Sequence, residues 1–507
     1  MKTRFFMFGT ILAVFVLFTH CFKDDPKTNE ESQLQAPTEA TLDDYPRLEN
    51  PYSVSNMKKA LESLQNKSGK GPDNPYAAIR IKPTHFYVKF IPRNEEELLA
   101  VKRDTLIELY DHPLDVEDWV IRDFFNSIEY DNRPPELWAA VRVDHQLPKG
   151  CPSRILERLF IPDELKINPR GKNTNTFPYA NELAEESLRL TGNFDDTQTA
   201  TAKAGKWTPS GNIKALNRPL QGLKVRARRW FTTHVGYTKW NGDFTCNGSF
   251  KNGKKANYSA VFEQNGLFDV RDGTFGQATH KALLKIEGKW VESINIGPSL
   301  RFSYIYMAAF DRYFLNFRGT SPPVGSGTDS ALKISYYHKE GNLSHSAWTN
   351  FGVFPSIRIY LKSENEDYAF TPVQIYAVTS HELSHSAHWK LIKEDSSSST
   401  STHFQNAKKS FIESWAVFME TIFTRHFIDG NYDRWPPSSE YHRYAALTNY
   451  SDFFNEVFDT TSYSVIQMES GLKEASSIPK WIQNMKIKYN GEEAKLEEIF
   501  ETYTFSD

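Results

Sequence analysis

Five residues, His381-Glu382-Leu383-Ser384-His385, commit one stretch of this chain to a helix and to a chemistry. Residues four apart share one helical face. Two imidazoles at this spacing can therefore converge on one Zn²⁺ at about 2.0–2.1 Å each. Glu382 sits one step round the helix, beside such an ion, where it can hold a water without being a ligand. By residue frequencies the pattern arises by chance roughly 0.02 times in a chain of this length and histidine content. An accidental pair of helix histidines is therefore the weaker explanation. Thr371 and Pro372 supply an N-cap and a first helical position for a helix expected over Thr371 to Trp389.

A catalytic zinc takes three protein ligands and keeps one position open. His388 lies seven residues from His381, about 10 Å along a helix axis, too far to share an ion. A longer pattern with a Gly and a third His is also missing, because His388 and Leu391 occupy those positions. Glu413 is the better third ligand. The run Phe411-Ile412-Glu413-Ser414-Trp415-Ala416-Val417-Phe418-Met419-Glu420 is apolar nearly all round. Its helix, expected over Phe404 to Phe427, should be buried, and a carboxylate there is costly unless paired or bound to metal. A plain salt bridge is the alternative for Glu413. Glu420, two turns on, can accept a hydrogen bond from the far nitrogen of a ligating histidine. His403, in a Ser/Thr-rich loop, is the fallback ligand.

The rest of the chain reads as a multidomain α+β protein. Its 507 residues suit two to four domains. The net charge of −3 offers no basic field, which argues against a nucleic-acid partner. Residues 1–21 form a targeting segment. Lys2 and Arg4 precede an apolar run from Phe5 to Phe18, shorter than the ~20 residues that span a bilayer. Residues 22–50 are polar and read as a flexible tether. Residues 51–165 read as a small α+β module, with strands at Thr84 to Ile91, Leu106 to Tyr110 and Leu137 to Val143. A helix there is signalled by Asn94 and Glu97. Residues 166–210 read as a linker with one helix, Asn181–Leu190. Residues 211–296 read as a β-sandwich, with a hairpin expected at Asn241-Gly242. Arg226, Arg228 and Arg229 read as a solvated strand face or a ligand patch. Residues 297–507 read as a mainly helical domain with a small sheet. A helix is expected over Leu300 to Phe317 and a strand over Ser356 to Leu361. Cys151 and Cys246 can pair or remain two buried thiols.

Three resemblances follow from these residues. Leu17-Phe18-Thr19-His20-Cys21, followed by Lys23-Asp24-Asp25, resembles the lipobox and export tag of bacterial surface lipoproteins. This implies lipidation at Cys21 and an exported, outer-membrane, cell-surface location, with simple secretion as the alternative. Residues 211–296 resemble the carboxypeptidase regulatory-like sandwich, through Thr238 to Phe244. His381-Glu382-x-x-His385, followed by Glu413-Ser414-Trp415-Ala416, resembles the gluzincin peptidases over roughly residues 300–507. That resemblance implies one zinc ion held by His381, His385 and Glu413, with Glu382 as base and a protein or peptide as substrate. Candidate oxyanion donors are Tyr441, His442, Tyr450 and Tyr463. The strand Ser356–Leu361 is expected to pair with an extended substrate. The competing expectation is a non-enzymatic adhesin or glycan-binding surface protein with a structural metal.

Overall fold

A computed structural model describes residues 46–69, 74–121, 133–162, 179–194, 205–264, 266–315, 319–323, 331–341, 344–345, 356–362, 369–395, 407–429 and 449–503. It is a mixed fold of helices and several sheets. Cys21 and residues 22–45 of the expected tether lie outside the described residues, whereas residues 46–50 are not a tether: Leu48 N donates to Asp115 O at 2.8 Å, Arg47 pairs with Asp115 at 2.7 Å and Asn50 is buried. No described helix is long and apolar enough to cross a membrane.

The N-terminal module carries a three-stranded antiparallel sheet, with His85–Phe90 between Leu137–Arg142 and Ser153–Leu159. Helix Glu95–Lys102 starts where Asn94 accepts from the backbone of Glu97 at 3.0 Å. The Glu97 carboxylate reaches back to the Arg93 backbone at 2.8 Å. The strand expected at Leu106 to Tyr110 is reduced to a bridge between Tyr110 and Trp138. The helix expected in a linker is Ala180–Leu190, and it belongs to this module. Its Glu186 accepts from Ser63 at 2.6 Å and Lys67 at 2.7 Å, both on helix Val54–Lys67. Apolar residues of that helix needed a partner face, and the module's first helix supplies it.

The segment expected as a sandwich carries two four-stranded sheets. One orders Thr279–Lys281, Asn257–Val261, Lys224–Arg229 and Thr232–Tyr237. The other joins Lys289–Ile294, Ser210–Ala215, Arg218–Pro219 and Asp243–Thr245. Trp290 and Phe244 from one sheet pack on Tyr258 from the other, at 5.5 and 6.2 Å between ring centroids. The Asn241-Gly242 turn forms, with Gly242 at φ +84° and Lys239 N donating to Asp243 O at 2.7 Å. It does not close a hairpin. It passes the chain from Thr232–Tyr237 in the first sheet to Asp243–Thr245 in the second. Burying Phe244 between the sheets outweighs local pairing.

The boundary expected at 296/297 runs through a continuous sheet. Phe268–Asp272, from the sandwich segment, pairs in parallel with Leu332–Glu340, which pairs in parallel with Ser356–Lys362. Helix Gly297–Phe314 covers this sheet, with Tyr306 against Phe268 at 5.4 Å and Phe302 against Tyr336 at 5.9 Å. One hydrophobic core runs from Ile213 in the sandwich to Ile499 near the C-terminus. Cys151 and Cys246 are both free and buried, in separate modules. Burial raises their thiols to about 11 and about 12 respectively.

Arg226 and Arg228 form neither a solvated face nor an open patch. Both are buried beneath the N-terminal module. Arg226 donates to Leu109 O at 2.9 Å and Arg228 to Trp230 O at 2.9 Å. Their guanidinium carbons lie 4.5 and 5.1 Å from the Tyr110 ring centre. The two arginines fasten one module to the next.

Gly211 is a point of close approach between paired strands. A Cβ there would lie 1.8 Å from the Trp290 carbonyl oxygen. Gly211→Ala should therefore separate the parallel pair of Ser210–Ala215 and Lys289–Ile294 and cost about 3 kcal/mol, read as a lower urea midpoint. An unchanged midpoint would show that the two strands can part freely.

Candidate metal centre

Two helices build the site. The motif helix, Pro372–Asp395, begins with a reciprocal cap in which Gln374 N donates to Thr371 Oγ1 at 3.3 Å and Thr371 N donates to Gln374 Oε1 at 2.6 Å. It packs between helix Gly297–Phe314 and the glutamate helix, Lys409–Asp429. Burial on both sides leaves no water for its hydroxyl side chains. Thr379, Ser380 and Ser384 turn inward and donate to the carbonyls four residues back, at 2.6, 2.9 and 2.7 Å. The glutamate helix is clamped from its far side. Trp415 meets Phe454 edge-on at 5.4 Å and Phe418 meets Phe458 at 5.8 Å, both partners on helix Asn449–Thr460.

This packing brings three side chains together. His381 Nε2 is 3.2 Å from Glu413 Oε2, His385 Nε2 is 3.5 Å from the same oxygen, and the two Nε2 atoms are 3.0 Å apart. His381, His385 and Glu413 are the one group of this kind among the described residues that could hold a metal ion. His381 Nδ1 lies 3.1 Å from Glu420 Oε2. That contact orients the ring so that Nε2 faces Glu413. His388 is buried on the same helix with its ring edge-on to Phe411 at 6.0 Å, and it stands apart from the triad.

The electrostatics suit a cation. Burial pushes the Glu413 carboxyl upward, but His385 and His381 beside it outweigh burial and hold it well below the ordinary range. Glu382 is buried and its carboxyl is raised, first by desolvation. Two carboxylate oxygens, Glu382 Oε2 and Glu413 Oε1, have no hydrogen-bond partner among the described residues. A buried polar atom left unpaired costs about 1–3 kcal/mol, and more when charged. A cation carrying a water offers each oxygen a partner, so the donor set fits a divalent ion.

The remaining expected residues fall elsewhere. Tyr441, His442 and His403 lie outside the described residues. Tyr450 opens helix Asn449–Thr460, and its side chain is likewise outside them. Tyr463 packs on Tyr489 at 5.9 Å, and its hydroxyl makes no hydrogen bond to the triad. The strand Ser356–Lys362 is not a free edge. Ser344–His345 pairs along Ile357 and Arg358, and Phe370 N occupies Leu361 O at 2.9 Å. Part of its outer edge is already used inside the protein. The inward hydroxyls of the motif helix were not foreseen, because serine in a sequence gives no sign of which way it will bond.

The chain matches no protein-family model, and no curated protein is significantly similar to it. The functional reading therefore stands on the geometry of the site.

If Glu420 orients His381 through Nδ1, Glu420→Ala should weaken metal affinity about 10–100-fold, and Glu413→Ala should weaken it further. Competition against a chromophoric chelator measures both. Wild-type affinity in Glu420→Ala would reduce that contact to packing.

Proposed function

We propose that this chain is a zinc-dependent peptidase of the gluzincin type, with His381, His385 and Glu413 as ligands and Glu382 as the catalytic base. The observation that carries this reading is the triangle of donor atoms, with edges of 3.0, 3.2 and 3.5 Å. Tetrahedral ligands at about 2.0–2.1 Å from zinc stand about 3.3 Å from one another. Calcium takes oxygen ligands, so the two imidazoles argue against it. Two imidazoles with one carboxylate is also a donor set that suits zinc.

When bound, zinc supplies a Lewis acid that lowers the pKa of a coordinated water to about 7. Glu382 follows His381 directly and presents a buried carboxylate oxygen with no hydrogen-bond partner among the described residues. Its raised pKa lets it take a proton from the attacking water and return it to the leaving amine. Glu420 keeps the His381 ring in register while charge develops. Of the triad, His381 and Glu413 retain 15% and 12% side-chain exposure, against 3% for His385, so the open side lies at His381 and Glu413. A structural metal in a surface adhesin expects a closed set of four protein ligands. The exposure left at His381 and Glu413 favours the catalytic reading.

Glu382→Gln keeps the shape of the side chain and removes the base. It should bind zinc as the wild type does and lose about 10³-fold or more in hydrolysis of an unstructured protein such as casein. A variant that keeps zinc and full activity would exclude Glu382 as the base.

The proposed location follows from the leader. Cys21 carries the lipid, and the substrate is an extracellular protein or peptide. Labelled palmitate should enter the wild-type chain and not Cys21→Ala, with the variant found in the medium. Equal labelling of both would rule out acylation at this cysteine.

A further inference from the structure

A cavity of about 470 Å³ lies where the sandwich segment meets helix Gly297–Phe314 and the end of the glutamate helix. That volume falls within the ~300–1,000 Å³ of small-molecule sites. None of His381, Glu382, His385 or Glu413 lines it. Met307 and Phe310 give it apolar surface, and so does Trp240, beside the Asn241-Gly242 turn. The Trp240 indole is 75% exposed, which leaves a large ring for a ligand to cover.

One cation in this cavity has no acid of its own. The Arg218 guanidinium carbon lies 3.9 Å from the Phe427 ring centre. The side chain is half-buried, makes no hydrogen bond or ion pair among the described residues, and keeps its nitrogens open to solvent. Phe427 in turn stacks on Tyr376 at 3.9 Å, so the ring beneath the guanidinium is held by two helices. The planar fork of an arginine matches a carboxylate through two parallel hydrogen bonds.

Two other groups of the wall could carry charge near neutral pH, and neither cancels the guanidinium. Burial first, and then Arg218, lower His426 to about 4, so its imidazole is neutral. Asp311 makes no ion pair with Arg218; its Oδ2 accepts from the Tyr376 hydroxyl at 2.7 Å. Burial raises the Asp311 carboxyl to about 7, against the opposing effects of Tyr376 and Arg218. Near neutral pH much of it is therefore protonated, and a protonated carboxyl can donate to a ligand oxygen.

We propose that this cavity binds a carboxylate carried on an apolar body, with the Arg218 guanidinium on the carboxylate and Trp240, Met307 and Phe310 around the body. A single unpaired cation selects a single negative charge. A doubly charged phosphate would find no second partner, because Arg218 is the one Lys or Arg lining the cavity among the described residues.

The test is calorimetry and ligand-observed saturation-transfer NMR on the full chain with phenylacetate and hexanoate. At least one acid should bind saturably, and equally with and without EDTA, which separates this site from the metal centre. Phenylacetamide, which keeps the shape and loses the charge, should bind about tenfold more weakly than phenylacetate. Arg218→Gln should weaken binding of the acid by a similar factor. Trp240→Ala, at a position too exposed to endanger the fold, should weaken it several-fold and serves if Arg218→Gln misfolds. The proposal is overturned if neither acid binds at millimolar concentration, if EDTA abolishes binding, or if acid and amide bind alike. Wild-type binding by a folded Arg218→Gln variant, or tighter binding of phenyl phosphate than of phenylacetate, overturns it equally.

Discussion

His381 touches two carboxylates of one helix at once, Glu413 through Nε2 at 3.2 Å and Glu420 through Nδ1 at 3.1 Å. Those carboxylates are seven residues apart, about 10 Å along their helix. A single imidazole spans them only when its own helix lies close alongside at a fixed rotation. A slip of one residue in either helix would move the ring off both partners. The triad therefore rests on the packing of the motif helix against the glutamate helix, more than on any one of its residues.

Aromatic packing fixes that arrangement. Trp415, Phe418, Phe454 and Phe458 lock the glutamate helix to helix Asn449–Thr460 behind it. Tyr376 stacks on Phe427 at 3.9 Å and so joins the early turns of the motif helix to the end of the glutamate helix. On the other side, helix Gly297–Phe314 ties the motif helix to the parallel sheet. Because that sheet draws a strand from the sandwich segment, the sandwich and the metal helices share one core. The sandwich is thus part of the framework of the site. The N-terminal module is held differently. Its contacts to the sandwich combine an apolar cluster, in which Phe231 packs on Tyr52 and Tyr87 at 6.1 and 5.0 Å, with ion pairs such as Lys102 with Asp269, Glu95 with Arg271 at 3.3 Å, and Asp118 with Lys285 at 3.2 Å.

Much of this was legible beforehand. The helix starts at Asn94 and Thr371 rest on side chains that cap their own backbone, and local chemistry suffices to find them. The motif histidines face together because helical geometry sets the spacing. Glu413 and Glu420 were found by a different argument, that a carboxylate in an apolar helix must have a reason to be there. Other readings failed where a remote partner intervened. Asn241-Gly242 makes its turn but not its hairpin, because Phe244 is buried between two sheets. Arg226 and Arg228 look solvated in a strand pattern, and only the approach of Tyr110 and Leu109 buries them. Strand Ser356–Lys362 looks available until Ser344–His345 covers it.

The division follows the range of the forces involved. Caps, turns, the apolar faces of helices and the His-x-x-x-His spacing act within a few residues, so the linear chain carries them complete. Which strands share a sheet, which helix lies against the motif helix and where a charge finds its partner depend on contacts between segments tens to hundreds of residues apart. Those contacts compete for the same apolar surface, and the competition is settled only when the whole core closes. The chain thus specified two histidines on one helical face and a glutamate in an apolar helix, while the closing of a shared core brought them within about one bonding shell of a single point.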